Sequence, residues 1–124
     1  MINDICILLI AHFIGDFLTQ TREIAKQKSE SMLVLTLHAA LYTFAFSTIN
    51  DLFVFNEIHT KVIVGKFTAF NFFAHLITDF ITSRVNKFTY KKFGPGYLFF
   101  SGIGLDQLIH SLTIILTYEY FFVR

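Results

Sequence analysis

Histidine and aspartate recur four residues apart in this chain: His12 with Asp16, His75 with Asp79 and, in reverse order, Asp106 with His110. Imidazole nitrogen and carboxylate oxygen together suit transition metals such as zinc, manganese or iron, and both groups also move protons in acid–base chemistry. On a helix, a spacing of four puts both side chains on one face, one turn apart. The first two pairs belong to a longer match. Ala11-His12-Phe13-Ile14-Gly15-Asp16-Phe17 returns sixty-three residues later as Ala74-His75-Leu76-Ile77-Thr78-Asp79-Phe80, and Thr19 and Thr82 extend the register. Each copy lies in a strongly apolar stretch, where such a pair is costly unless something binds it.

The elements that must hold these pairs are apolar helices. Of the 124 residues, 54% are apolar and only 15% charged, and phenylalanine alone occurs 17 times. Soluble domains carry about 25% charged residues. A soluble fold of this size could not cover its surface, so the composition points to a membrane protein. The net charge of +1 and the lack of a basic stripe argue against nucleic-acid binding. Cys6 is the only cysteine, which excludes a disulfide framework and a thiolate zinc cluster. No basic region precedes Ile5–Ala11 and no small-residue cleavage site follows it, so the first apolar segment is expected to stay in the mature protein.

Four apolar segments follow one another. The first runs from about Ile2 to Thr19, and a polar connector from Gln20 to Ser31 follows it. The second, Met32 to Asn50, has His38 as its one ionisable side chain and is the strongest transmembrane candidate. A mixed stretch from Asp51 to Lys66 suggests an interfacial turn or half-helix. The third segment, about Phe67 to Ser83, carries the second His–Asp copy. The connector Arg84 to Gly96 is basic and closes with the breaker Gly94-Pro95-Gly96, and the fourth segment runs from about Tyr97 to Phe122. Short connectors make the neighbours antiparallel. The expected fold is therefore all-α: a single domain over residues 1–124, an integral membrane four-helix bundle built from two repeated helical hairpins (about 1–50 and 62–124) in a parallel internal repeat.

Lysine and arginine set the expected orientation. The connectors after segments one and three hold Arg22, Lys26, Lys28, Arg84, Lys87, Lys91 and Lys92, against Lys61, Lys66 and Arg124 on the other side. The basic connectors should face the cytoplasm, with both termini on the non-cytoplasmic side. Counting helix rise from the cytoplasmic ends puts His12, Asp16, His38, His75, Asp79, Asp106 and His110 in one layer, roughly 6–17 Å deep. These seven are the candidate metal ligands, for one or two divalent ions, with zinc the first choice and manganese or iron the alternatives. Asp16 and Asp79 are the candidate catalytic bases where they are not ligands. One such pair alone would equally suit a packing role. Three pairs and His38 at one depth favour a bound ligand. His59 reads as a solvated connector residue, Tyr42 as an interhelical donor or a catalytic group, and Gln20 and Gln107 as donors to ligands or interfacial polar residues.

His12-x3-Asp16-x3-Gln20, Ala25-x2-Lys28-Ser29, His38-x3-Tyr42, His75-x3-Asp79 with Arg84, and Leu105-Asp106-Gln107-x2-His110 occur in that order. Through them the chain resembles, over nearly its whole length, a bacterial and phage membrane family catalogued as domain of unknown function 3307. The resemblance implies a small multi-helix protein of the bacterial inner membrane that shares these polar positions, and it supplies no reaction. Thr82 stands where members often carry a lysine, so no basic role is carried over to that position.

Three functions compete. The first is a metal-dependent hydrolase acting on a lipid or phosphorylated small substrate, with Lys28, Arg84 and Lys87 attracting its anionic head. The second is a transporter of a metal ion, proton or small solute, which with so few spans would call for a homodimer. The third is a non-catalytic membrane protein that binds a partner, with the His–Asp pairs serving packing.

Overall fold

The structure, a computed structural model, describes residues 1–55 and 61–124. The described residues are helical throughout, without a strand. Helix α1 spans Ile2–Phe13 and runs directly into a π-helical turn at Ile14–Leu18. A short helix α2, Arg22–Gln27, follows, then the long helices α3, Met32–Phe53, α4, Lys61–Phe93, and α5, Tyr97–Tyr118. A second π-helical turn, Glu119–Val123, extends α5.

The boundaries follow from local chemistry. Thr21 caps α2 by accepting from the Ile24 amide, and Ser31 caps α3 by accepting from the Val34 amide. These are the side-chain bonds that satisfy the orphan donors of a helix start. Gly94 closes α4 in the left-handed region, at φ 74°, with its amide on the Tyr90 carbonyl. The next helix starts from Gly96. At the first π-helical turn, Thr19 donates its amide to the Ile14 carbonyl and its hydroxyl to the Gly15 carbonyl.

Two connectors differ from the sequence-based expectation. The first, taken as a plain polar link from Gln20 to Ser31, contains α2. The second, the basic stretch from Arg84, is no loop: α4 continues through it to Phe93 without a break. Lysine and arginine are good helix formers, so a run of charge need not end a helix. At about 1.5 Å per residue α4 is about 50 Å long, more than crosses a hydrocarbon layer of about 30 Å. In the mixed stretch, Asp51–Phe53 complete α3 and Lys61–Lys66 begin α4. Glu57 and His59, with the central part of the expected half-helix, lie outside the described residues.

α1 packs on α3 and α5, α3 on α4, and α4 along α5, while α2 lies against α3. The apolar core is a cluster of Leu8, Ala11, Tyr42, Phe46, Phe55, Phe67, Ile114 and Tyr118. Its rings pack in offset and edge-on pairs, such as Phe55 with Phe122 at 4.6 Å and Phe46 with Phe67 at 6.0 Å between centroids. The outer faces are apolar too. Met32–Phe53 and Tyr97–Val123 are long and apolar enough to cross a membrane, and only 28% and 17% of their most apolar windows are buried inside the protein. A core helix of a soluble protein typically buries most of such a window.

Candidate metal centre

Each ligand-type side chain projects inward from a long helix or its extension: His12 from α1, Asp16 from the π-helical turn, His38 from α3, His75 and Asp79 from α4, and Asp106 and His110 from α5. The turn at Ile14–Leu18 lets Asp16 approach α3 because Gly15 has no side chain. A Cβ there would stand 2.9 Å from Tyr42 Cδ2 and 3.0 Å from the Tyr42 carbonyl oxygen. Every one of these histidines is buried, as are Asp16 and Asp79. The Asp106 side chain keeps 13% exposure.

Four of the seven converge on one point. The His38 Nε2 lies 3.1 Å from Asp16 Oδ1, 3.1 Å from Asp79 Oδ2 and 3.2 Å from His75 Nε2. The His75 Nε2 lies 3.7 Å from Asp16 Oδ1 and 3.8 Å from Asp79 Oδ2. One nitrogen carries at most one proton, and a proton between two imidazoles cannot also serve two carboxylates. A cation can. Four donors about 2.0–2.1 Å from a tetrahedral ion sit about 3.3 Å from one another, which is the scale of these separations. Among the described residues the far nitrogens of both rings, Nδ1 of His38 and His75, have no hydrogen-bond partner. The protonation of each ring is therefore set on its Nε2 side, where the four groups meet. The buried donor set Asp16, His38, His75 and Asp79 can hold a metal ion.

A second ligand group, Asp16, Asp106 and His110, shares Asp16 with the first. Here neutral donors already intervene. The Gln107 amide donates to Asp16 Oδ2 at 2.9 Å and to Asp106 Oδ2 at 3.0 Å, and the Thr82 hydroxyl faces Asp106 Oδ1 at 2.5 Å. The His110 Nε2 is 3.1 Å from Asp79 Oδ1 and 3.5 Å from Asp106 Oδ1, so it links the two groups.

His12 falls in neither group. With its amide nitrogen on two carboxylates, Gln107 turns its oxygen toward His12 Nε2, at 3.0 Å, and that nitrogen must donate. Nδ1 is then left to accept from the Tyr42 hydroxyl at 3.4 Å. The Tyr42 ring lies flat on His75, with centroids 3.8 Å apart and planes 7° from parallel. Tyr42 thus orients one imidazole with its hydroxyl and another with its face.

The structure brings all seven candidates, and with them Tyr42 and Gln107, into one contiguous network; Gln20 leaves its Oε1 buried and without a partner. Two participants escaped the sequence reading. Lys28 was read as a connector residue attracting an anionic head and not as a partner of the centre, yet its ammonium donates to Asp79 Oδ2 at 2.8 Å. Thr82 was legible only as the end of the repeat. Three carboxylates face one ammonium, so the remaining compensating charge has to come from protonated histidine or from a bound cation.

A cavity of about 570 Å³ opens beside the centre. Asp16, Asp106 and Gln107 form its inner wall, Lys26, Lys28 and Lys87 its basic side, and Phe17, Tyr90, Phe99 and Ile103 its apolar side. Lys87 is engaged by Glu30, which also lines it.

Residues 5–124 match the family described as protein of unknown function (DUF3307). No curated protein and no solved structure matches the chain.

Proposed function

The chain belongs to that DUF3307 family, whose description assigns no reaction, and from the His/Asp centre we propose that it is a metal-dependent hydrolase embedded in a membrane. The observation that carries this reading is the set of four buried donors, two imidazoles and two carboxylates, separated on the scale of one tetrahedral ion and adjoining an open cavity. Two nitrogen and two oxygen donors suit zinc best, with manganese or iron next.

A catalytic ion needs one position free of protein ligands. His38, His75 and Asp79 are the holding set. Asp16 is the tetrad member that also lines the cavity, so it faces the remaining position. The ion would polarise a phosphoryl or carbonyl oxygen and acidify a bound water. Asp16 would take that water's proton as general base. The substrate is a lipid or a phosphorylated small molecule, because the cavity joins basic and apolar walls.

The helix contacts run in a ring, α1 to α3 to α4 to α5 and back to α1, which supports a four-helix bundle of two hairpins. In that arrangement each aspartate of the repeat meets the histidine of the helix that follows it, Asp16 with His38 and Asp79 with His110, each at 3.1 Å. This equivalence supports the internal repeat. The apolar outer faces support a multi-pass bilayer protein, with the cavity on the side of the basic connectors and both termini opposite, in the bacterial inner membrane.

One observation favours transport as a second reading. Buried polar groups continue beyond the centre, with Asn71 on Thr117 and with the side chains of Asn50 and Thr43 unpartnered among the described residues. Phe46 and Phe67, fully buried, stand against an open path. The hydrolase reading therefore ranks first.

Elemental analysis of the purified protein tests it. About one zinc per chain is expected, lost in His75→Ala, together with phosphate release from a lipid phosphate that a chelator stops and zinc restores. Metal-free wild-type protein, or equal metal in the variant, would falsify the reading.

A further inference from the structure

Lys28 comes to the centre from a different direction than the other polar groups. It lies at the end of α2, not on a long helix, and its side chain keeps 15% exposure where that of Asp79 keeps 1%. Its ammonium holds Asp79 Oδ2. That oxygen is also the one that faces His38 Nε2 at 3.1 Å and His75 Nε2 at 3.8 Å, a corner of the four-donor site. An ammonium and a divalent ion on one carboxylate oxygen repel each other strongly in so buried a place. The two therefore compete for Asp79.

Lys28 also lines the cavity, with Lys26 beside it. Lys87 is already neutralised by Glu30. Release from Asp79 would thus leave the Lys28 ammonium inside a cavity lined on one side by Phe17, Tyr90, Phe99 and Ile103 and on its inner side by Asp16 and Asp106, whose charge a bound metal ion would offset. An anionic head beside an apolar body is what such walls accept. Phosphate oxygens take a lysine ammonium as a point-charge partner.

We propose that Lys28 is an exchangeable counter-ion: it neutralises Asp79 while the centre is empty of metal, and when an ion takes Asp79 it binds the phosphate head of an amphiphilic ligand in the cavity. This rests on the metal-centre reading above. It makes metal and phosphate ligand reinforce each other, by the same factor in both directions. It also gives the connector helix a task, since α2 sets the distance from which Lys28 reaches either partner.

The test uses the full chain in micelles of a phosphate-free maltoside detergent, with zinc affinity measured by competition against a chromophoric chelator. Lys28→Met is expected to bind zinc more tightly than wild type, by about fivefold or more. Lys28→Arg, which keeps a cation on Asp79, is expected to stay at or below wild-type affinity. The second arm measures retention of the phosphonate analogue of phosphatidate, whose carbon–phosphorus bond resists hydrolysis, with and without zinc. Zinc should raise its retention in wild type and not in Lys28→Met. Glycerol phosphate is added as competitor: displacement by it assigns the site to phosphate esters in water, and retention despite it assigns the site to lipid heads. Retention supports the proposal as stated, and displacement overturns its amphiphilic ligand. Equal zinc affinity in wild type and Lys28→Met, or zinc-dependent retention that survives in Lys28→Met, overturns it while leaving the metal centre standing. Identical behaviour of Lys28→Arg and Lys28→Met also overturns it, because the effect would then come from the connector and not the charge. A wild type that binds no zinc overturns both readings together.

Discussion

The two copies of the His–Asp pair are alike in sequence and unlike in setting. The second lies in the middle of α4, a continuous helix of 33 residues. The first straddles the end of α1, with His12 on regular helix and Asp16 on the π-helical turn. Asp79 is held by Lys28, His38 and His110 and its side chain is 1% exposed. Asp16 is held by His38 and the neutral Gln107, and it borders the cavity. The difference teaches a division of labour. The copy on the rigid helix is built to hold charge. The copy at a helix end, where π-helical turns are often found at working sites, would under the proposed function present its carboxylate to a ligand.

The largest effect expected from breaking this contrast is that of Asp79→Asn. It strips Lys28 and two histidines of a buried anion, and destabilisation of about 3–5 kcal/mol is expected, as for other buried pairs that lose one partner. Bound zinc should be lost with it. Asp16→Asn leaves an amide that can still meet Gln107 and His38, and about 1–3 kcal/mol is expected. Zinc should stay, while turnover falls by about 10²–10⁴-fold for want of a general base. Chemical denaturation in detergent and elemental analysis on both variants decide the matter. Equal loss of metal would mean that Asp16 is a ligand and that the two copies do the same work.

The contrast also marks where the sequence could be read and where it could not. The pairs were visible because identical residues returned in register, and their common depth because helix rise is fixed. That Met32 to Asn50 and the stretch from Tyr97 onward form long apolar helices was equally plain from composition. The π-helical turn was not, because Ile14-Gly15-Asp16-Phe17-Leu18 differs from the matching residues of α4 only by Gly15 for Thr78 and Leu18 for Ile81, and neither change by itself calls for a π-helical turn. Nor was the reach of Lys28 to Asp79, fifty-one residues away. Such a pairing depends on how α2 folds back on α3, and charge patterning along the chain carries no record of it. The basic stretch after Ser83 was misplaced for a plainer reason: charge marks an aqueous surroundings, not a loop.

Gly15 and Thr78 occupy matching positions in the two copies, which allows a finer test. Gly15→Ala places a methyl against Tyr42 at 2.9–3.0 Å, and a shift of the turn costing about 1–3 kcal/mol is expected. Thr78→Ala touches a residue whose carbonyl, not its side chain, serves the network by accepting from Thr82. It should fall within about 0.5 kcal/mol of wild type. Thermal unfolding of the pair, each in the same detergent, compares them directly. A Gly15→Ala protein as stable as Thr78→Ala would show that the close approach of the turn to α3 is not needed to seat Asp16.

An effect at the low end of that expected for Gly15→Ala concerns a residue that only the first hairpin has. Tyr42 follows His38 by four, and Ile114 holds the corresponding place after His110. Tyr42→Phe keeps the ring stacked on His75 and removes only the hydroxyl on His12. At 3.4 Å that bond is long, and about 1 kcal/mol is the expected loss. Zinc content should not change, because His12 Nε2 is committed to Gln107 and takes no part in the four-donor site. The proton of His12 should stay on Nε2, where Gln107 holds it, while Nδ1 loses its donor, a change that nitrogen NMR of histidine-labelled protein reports as a shift of the Nδ1 resonance alone. If Tyr42→Phe stripped the metal, His12 would have to be a ligand after all, and the first copy would then bind through its histidine where the second binds through both members of its pair.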